Sequence, residues 1–177
     1  TYRDAGVDLD AAERFTDDVR ALAETTAFAG SGVLPARGGF ASLVGLPAGY
    51  VDPVIVASCD GVGTKLSLAL AAQRPALVGH DLVAMCLNDI VTTGAKPLLF
   101  LDYLATDKIV GSALLEVVRG VAEACREAGC PLTGGETAEM PGLVIRGSLE
   151  LAGFAVGVVE RARLLSSARV RPGDVLL

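Results

Sequence analysis

Apolar residues along this chain recur at two spacings. From Asp10 to Thr25, Ala12, Phe15, Val19 and Leu22 return every three or four positions with charges between them, which predicts an amphipathic helix. Ser112 to Ala128 carries the same pattern more cleanly: Leu114, Val117, Val121, Cys125 and Ala128 share one face, and Gly129 stands where a helix would end. Asp81 to Thr93 is predicted as a third helix, capped at Gly94 with Pro97 beyond it. Leu66 to Ala72 is a short fourth, stopped near Pro75. Between the helices lie apolar runs of strand length, at Pro53 to Ser58, Pro97 to Ala105 and Leu149 to Val159. The turn Arg171-Pro172-Gly173-Asp174 leads into Val175-Leu176-Leu177, which reads as the start of another strand. Gly30 to Gly39, Cys59 to Lys65 and Thr133 to Gly142 read as loops. Strands alternating with helices and loops predict a mixed α/β (α+β) domain, a sheet with flanking helices. A length of 177 residues suits one such domain over 1–177. A strand that starts in the last three residues raises the expectation that a second, C-terminal domain belongs to the full protein.

Composition sharpens this picture. Hydrophobic residues make up 51% of the chain, enough to raise the question of a membrane protein. The longest clean apolar stretch, Leu151 to Val159, is about half of the roughly 20 residues a spanning helix needs. The excess is therefore expected in buried strands, or on a surface that a partner covers. A net charge of −6 argues against a nucleic-acid or anionic-membrane surface, and no basic segment leads into an apolar one at the N-terminus. The expectation is a cytoplasmic protein. Cys59, Cys86, Cys125 and Cys130 form no CxxC pair and are expected as reduced, mostly buried thiols. His80 is the single histidine, so any Ser–His or Cys–His nucleophile would have to use it.

Three constellations carry chemistry. Asp60-Gly61-Val62-Gly63-Thr64-Lys65 follows an apolar strand. Its glycines let backbone amides approach phosphate oxygens, Lys65 adds a cation, and Asp60 is a hard oxygen ligand suited to Mg²⁺. The spacing is not that of a Walker A loop, and a plain tight turn with a surface lysine is the alternative. In the second, Asp81 and Asn88 are seven residues apart on one helical face and Asp89 is turned by about 100° from Asn88. Either Asp81 caps the helix and Asn88–Asp89 is a solvated edge, or the acids face a metal. The third is Gly134-Gly135-Glu136-Thr137-Ala138-Glu139-Met140-Pro141-Gly142, whose Glu136 and Glu139 could meet a metal or substrate, or be solvated. Asp102, inside the apolar run Leu98 to Leu104, is either an edge-strand charge that blocks mis-pairing or an inward-facing ligand. Acids and one lysine at the ends of different buried elements are how a Mg²⁺–nucleotide site is assembled.

Read in order, Thr1-Tyr2-Arg3-Asp4-Ala5-Gly6-Val7-Asp8, Gly38-Gly39-Phe40, Asp60 to Lys65, Asp81 to Asp89, Phe100 to Thr106 and Gly134 to Gly142 resemble the AIR synthetase (phosphoribosylformylglycinamidine cyclo-ligase) family along the whole chain. The resemblance implies the N-terminal, ATP-binding and dimerisation domain of a two-domain enzyme, with the sheets of two subunits paired into a shared barrel. It implies ATP-dependent ring closure of formylglycinamidine ribonucleotide to aminoimidazole ribonucleotide in purine synthesis, with ATP and Mg²⁺ required and a homodimer formed. By matching motif, Asp89 and Lys65 would be catalytic. Asp60, Asp81 and Asp89 would hold the metal. Gly61, Val62, Gly63, Thr64, Lys65, Asn88, Gly38, Gly39, Glu136, Thr137 and Glu139 would line the nucleotide site. The alternatives are another enzyme of the same superfamily, such as selenophosphate synthetase or thiamine-monophosphate kinase, and a non-catalytic nucleotide-binding or dimerisation domain.

Overall fold

The computed structural model describes residues 8–35, 41–109 and 112–175. The expectations that fall on Thr1 to Val7, on Gly38 and Gly39 and on Leu176-Leu177 lie outside the described residues; Val175 itself is in no strand. In chain order the elements are α1 (Leu9–Glu24), β1 (Val33–Leu34), β2 (Leu43–Val44), β3 (Pro53–Gly61), α2 (Lys65–Ala71), α3 (Ala76–Thr92), β4 (Lys96–Thr106), α4 (Ser112–Ala128), β5 (Leu132–Glu139) and β6 (Leu149–Glu160), followed by two short 3₁₀ turns. The mixed α/β reading holds. β1 and β2 form a small antiparallel pair, and the main sheet has the order β3-β6-β4-β5.

Helix ends follow local chemistry. Asp8 caps α1 by accepting a hydrogen bond from the Ala11 amide. Gly94, with φ of +80°, ends α3, and Gly129, with φ of +61°, ends α4. α3 starts earlier than the periodicity predicts, at Ala76 after Pro75, because Ala76 to His80 is apolar on several faces and gives no amphipathic signal.

The larger departure is β5. The stretch from Thr133 predicted as a loop is instead a strand to Glu139, parallel to β4, with Asp102 opposite Gly135 and Thr106 opposite Glu139. Two glycines and two acids lower its intrinsic strand preference, and pairing with the apolar β4 overrides it. β3 likewise runs three residues beyond Ser58, so Asp60 and Gly61 belong to the strand and only 62–64 form the loop.

Helices cover one face of the sheet. α3 and α4 pack on Leu104, Phe100, Leu151, Ala155 and Val159, all buried. The approach is close because β6 presents glycine where α3 crosses. A Cβ at Gly153 would lie 2.5 Å from Phe100 Cζ and 3.0 Å from Cys86 Sγ, and one at Gly157 would lie 2.6 Å from Ile90 Cγ2. α3 and α4 in turn cross at Gly79 and Gly120, where a Cβ on Gly120 would collide with the Ala76 carbonyl. The opposite sheet face carries no helix among the described residues. It exposes Ile55, Ala57 and Phe154 beside half-buried Leu99, Leu101, Tyr103 and Val156.

Overpacking a filled interior costs about 1–3 kcal/mol, more where backbone must move. Gly120→Ala is therefore expected to destabilise the chain by at least that much in urea unfolding, and Gly153→Ala by a similar amount. Gly30→Ala, where a Cβ would meet nothing but the backbone has φ of +86°, should cost only the strain of the left-handed conformation, about 1 kcal/mol.

Candidate nucleotide and metal site

The end of β3, the start of α2 and the middle of α3 converge on one cluster. α3 is anchored under β3 by Cys86, whose sulfur accepts a hydrogen bond from the Asp60 amide. Burial, with the nearby Asp60 and Asp89 charges adding to it, pushes the Cys86 thiol up to about 11, so it stays protonated and structural. The next turns of α3 bring polar side chains to the same edge. Asp89 Oδ2 accepts a 2.8 Å hydrogen bond from Ser58 Oγ of β3. Lys65 Nζ, at the first residue of α2, lies 2.9 Å from Asp81 Oδ2 and 3.8 Å from Met85 Sδ. Asp60 Oδ1 accepts from the Gly61 amide at 2.7 Å, which fixes its carboxylate at the strand end. Gly63, with φ of +66° and open space where a Cβ would stand, turns the chain into α2. Thr64 occupies the N-cap position without a side-chain cap bond.

Lys65 thus meets Asp81 and Ser58 meets Asp89 along α3, with Asp60 at the adjoining end of β3 and Asn88 exposed beside Asp89. Gly61, Val62, Gly63 and Thr64 lie beside them, with Val62 buried beneath the turn. Asp81 sits within α3, past its first turn, so the cap alternative for it falls. Lys65 and Asp81 are both about half exposed, at 52% and 47%, and such a pair is worth at most about 1 kcal/mol. Little free energy holds Lys65 away from an incoming anion. Among the described residues no three His, Cys, Asp or Glu side chains converge tightly enough to hold a metal by themselves. A nucleotide-bound Mg²⁺ does not require that: it usually takes one or two carboxylates and fills its shell with phosphate oxygens and water. The oxygen donors of Asp60, Asp89 and Asn88 fit that chemistry. Ser58 was not anticipated; only its place two residues before Asp60 on the same strand face could have signalled it.

Glu136, Thr137 and Glu139 do not join this cluster. They lie on β5, and β6 and β4 separate that edge of the sheet from β3. Glu136 and Glu139 also point to opposite faces, since strand side chains alternate. Glu136 pairs with Tyr103 on the uncovered face, whereas Glu139 Oε1 accepts from the Ile109 amide at 2.9 Å and braces the β4–α4 connection. The reading of the two acids as one loop presenting both carboxylates is thus corrected. So is the edge-strand alternative for Asp102: β4 is an interior strand, and Asp102 is 6% exposed on the helix-covered side. Of the cysteines, three are buried and Cys59 is exposed, all as free thiols.

Comparison with known proteins identifies the family. Residues 47–159 match the family described as AIR synthase related protein, N-terminal domain. The chain belongs to that family. It is 53% identical over 180 residues to phosphoribosylformylglycinamidine cyclo-ligase of Sorangium cellulosum, a match that covers 100% of this chain and 50% of that protein. The chain thus spans about half the length of the curated relatives it matches. Among solved structures, thiamine-monophosphate kinase from Stenotrophomonas maltophilia superposes with a TM-score of 0.61 at 22% identity, covering 84% of this chain and 42% of that one. T. maritima PurL complexed with AMPPCP gives 0.55 at 21%, covering 68% and 19%. At 22% and 21% identity those likenesses show a shared fold alone.

Asp102 yields a pH prediction. Burial raises its carboxyl from the usual 3.8 to about 7, against the smaller opposing effect of a hydrogen bond from its own amide. Below pH 4 the group is neutral in both folded and unfolded chains and costs nothing. As pH rises toward 7 the unfolded chain ionises first, and stability is lost until the folded carboxyl also ionises. Asp102→Asn should therefore gain stability over the parent progressively from about pH 4 to 7 and hold that gain above it. The ceiling is on the order of 4 kcal/mol. Thermal unfolding across this range checks it, and a gain independent of pH would contradict it.

Proposed function

We propose that the chain is the N-terminal, nucleotide-binding part of a cytoplasmic phosphoribosylformylglycinamidine cyclo-ligase, an enzyme of purine synthesis. It would use ATP to close formylglycinamidine ribonucleotide into aminoimidazole ribonucleotide, with release of ADP and phosphate. The observation that carries this reading is the convergence of Asp60 to Lys65 with Asp81, Asn88 and Asp89, in a chain half identical to named cyclo-ligases along its full length. Similarly folded proteins, a hydrogenase maturation protein in complex with ATP and T. maritima PurL complexed with AMPPCP, support nucleotide use.

In this reading the γ-phosphoryl group passes to the formyl oxygen. The ribose-bearing nitrogen then attacks the formyl carbon, and phosphate departs as the five-membered ring closes. Lys65 exchanges Asp81 for the phosphates, placing positive charge where negative charge develops. The turn 61–64 lets backbone approach the phosphate oxygens. Asp60 and Asp89, with Asn88 and Asp81 beside them, would hold Mg²⁺, which supplies charge neutralisation between phosphates. Ser58 keeps the Asp89 carboxylate oriented toward that role. Glu136, Thr137 and Glu139 serve as a second rim, and Gly38 and Gly39, outside the described residues, are assigned by motif alone.

The uncovered face supports a homodimer. Ile55 and Phe154 are 54% and 40% exposed there, in an apolar patch that spans all the strands of the sheet but its β5 edge. Two such faces packed together would form the shared barrel. β3 and β5, the two sheet edges, run in the same direction, so the partner's β5 edge can lie beside β3 with its rim at the nucleotide end.

Calorimetric titration with a non-hydrolysable ATP analogue and Mg²⁺ tests the site. Saturable binding is expected, weakened about tenfold or more, 1.4 kcal/mol, by either Asp60→Asn or Asp89→Asn. Binding indifferent to both substitutions would refute the assignment. For the dimer, sedimentation of Phe154→Asp should show a monomer where the parent sediments as two chains; a monomeric parent would end that part of the reading.

A further inference from the structure

A second concavity lies away from the nucleotide cluster, between α1 and β5. Thr26 builds it: its hydroxyl donates to the Ala23 carbonyl at 2.6 Å and accepts from the Leu132 amide at 2.9 Å, which ties the end of α1 over the start of β5. The result is a cavity of about 480 Å³ with Phe15 and Val19 on the helix side, Gly134, Gly135 and Thr137 on the strand side, and Asp102 at its floor. That volume falls within the usual range for small-molecule pockets.

Asp102 is what makes the cavity chemically specific. It is 6% exposed, and among the described residues no cation pairs with it. The cavity's one cationic lining residue, Arg20, is turned to solvent in a 2.7 Å pair with Asp17. The carboxyl leans across to β5 and fills the space above Gly135, where a Cβ would collide with Asp102 Oδ1. Glycine at 135 is thus a condition for this carboxyl to reach the cavity. Burying an acid without a partner costs stability, and proteins retain such groups where a ligand supplies the missing charge.

We propose that this cavity is a subsite for an amidinium group, which Asp102 receives through a forked, charge-assisted pair of hydrogen bonds while Phe15 and Val19 pack against the amidinium plane and the carbon attached to it. A planar amidinium presents two parallel N–H donors, which match the two carboxylate oxygens. The identification of the physiological ligand as the amidine of formylglycinamidine ribonucleotide rests on the cyclo-ligase reading. Asp102 would then bind one N–H of each amidine nitrogen, and its carboxylate can take the proton that the ribose-bearing nitrogen releases as it attacks.

Benzamidinium and its neutral isostere benzamide are the probes, titrated calorimetrically into the protein. Benzamidinium should bind saturably, with benzamide weaker by about tenfold or more, the difference expected for a hydrogen bond to a charged group. Asp102→Asn should remove that preference, and Gly135→Ala, which displaces the carboxyl, should reduce it. Equal binding of the two probes, no saturation by benzamidinium, or a preference that survives in Asp102→Asn would each overturn the proposal. Turnover of formylglycinamidine ribonucleotide by the intact protein judges the cyclo-ligase reading separately. Benzamidinium selectivity without turnover keeps the subsite and removes its assigned substrate; turnover without selectivity removes the subsite.

Discussion

A helix can lie on a sheet only as closely as the side chains between them allow, and that distance governs this molecule. Gly153 and Gly157 leave β6 bare along the line where α3 crosses, so Cys86, Leu82 and Ile90 reach the strand itself. With α3 seated at that depth, Cys86 meets the Asp60 amide, and Asp89 comes within hydrogen-bond reach of Ser58. A larger residue at either glycine would lift α3 from the sheet, and the acids of α3 would separate from those of β3. The core contact and the site geometry are one constraint, since interiors this close-packed transmit small displacements instead of absorbing them.

Much of this was legible because apolar periodicity reports burial directly. Ser112–Ala128 is predicted and found with the same limits, since its stripe and Gly129 are both strong local signals. The strands at Pro97 and Leu149 agree to within one residue at each end. β5 was illegible for a physical reason: Gly134-Gly135-Glu136 has no strand preference of its own and is held by β4, a partner distant in sequence. The same non-local cause hid the orientation of Glu136 and Glu139. Three-residue spacing places two side chains together on a helix and apart on a strand, so the error in the element became an error in the site. On α3, where the element was read as a helix though its start was not, Asp81 and Asn88 keep the seven-residue spacing of one helical face.

Asp102 shows the limit of reading an acid from its neighbours in sequence. An acid flanked by Leu101 and Tyr103 fits either an edge strand or an inward ligand, and only the sheet order decides between them. Once β4 is interior, the charge cannot be a guard against edge pairing. Its burial must then be balanced against something, and the described structure contains no cation to balance it. The glycine opposite, which reads in sequence as loop punctuation, is there because the carboxyl occupies its side-chain space.

Strand direction then determines which motifs can cooperate. β3 is antiparallel to β6, β6 to β4, and β4 is parallel to β5, so β3, β4 and β5 all point the same way. The turn after Gly61, the residues after Thr106 and the bend after Glu139 consequently leave the sheet at one end. Within a single chain β3 and β5 are held apart by two intervening strands, about 14 Å at ordinary strand spacing. No rearrangement inside the domain can bring those edges together without breaking the β6 ladders. A site that uses both motifs must therefore be completed from outside this sheet, and the uncovered face, apolar from β3 to β4, is where the structure leaves room for that.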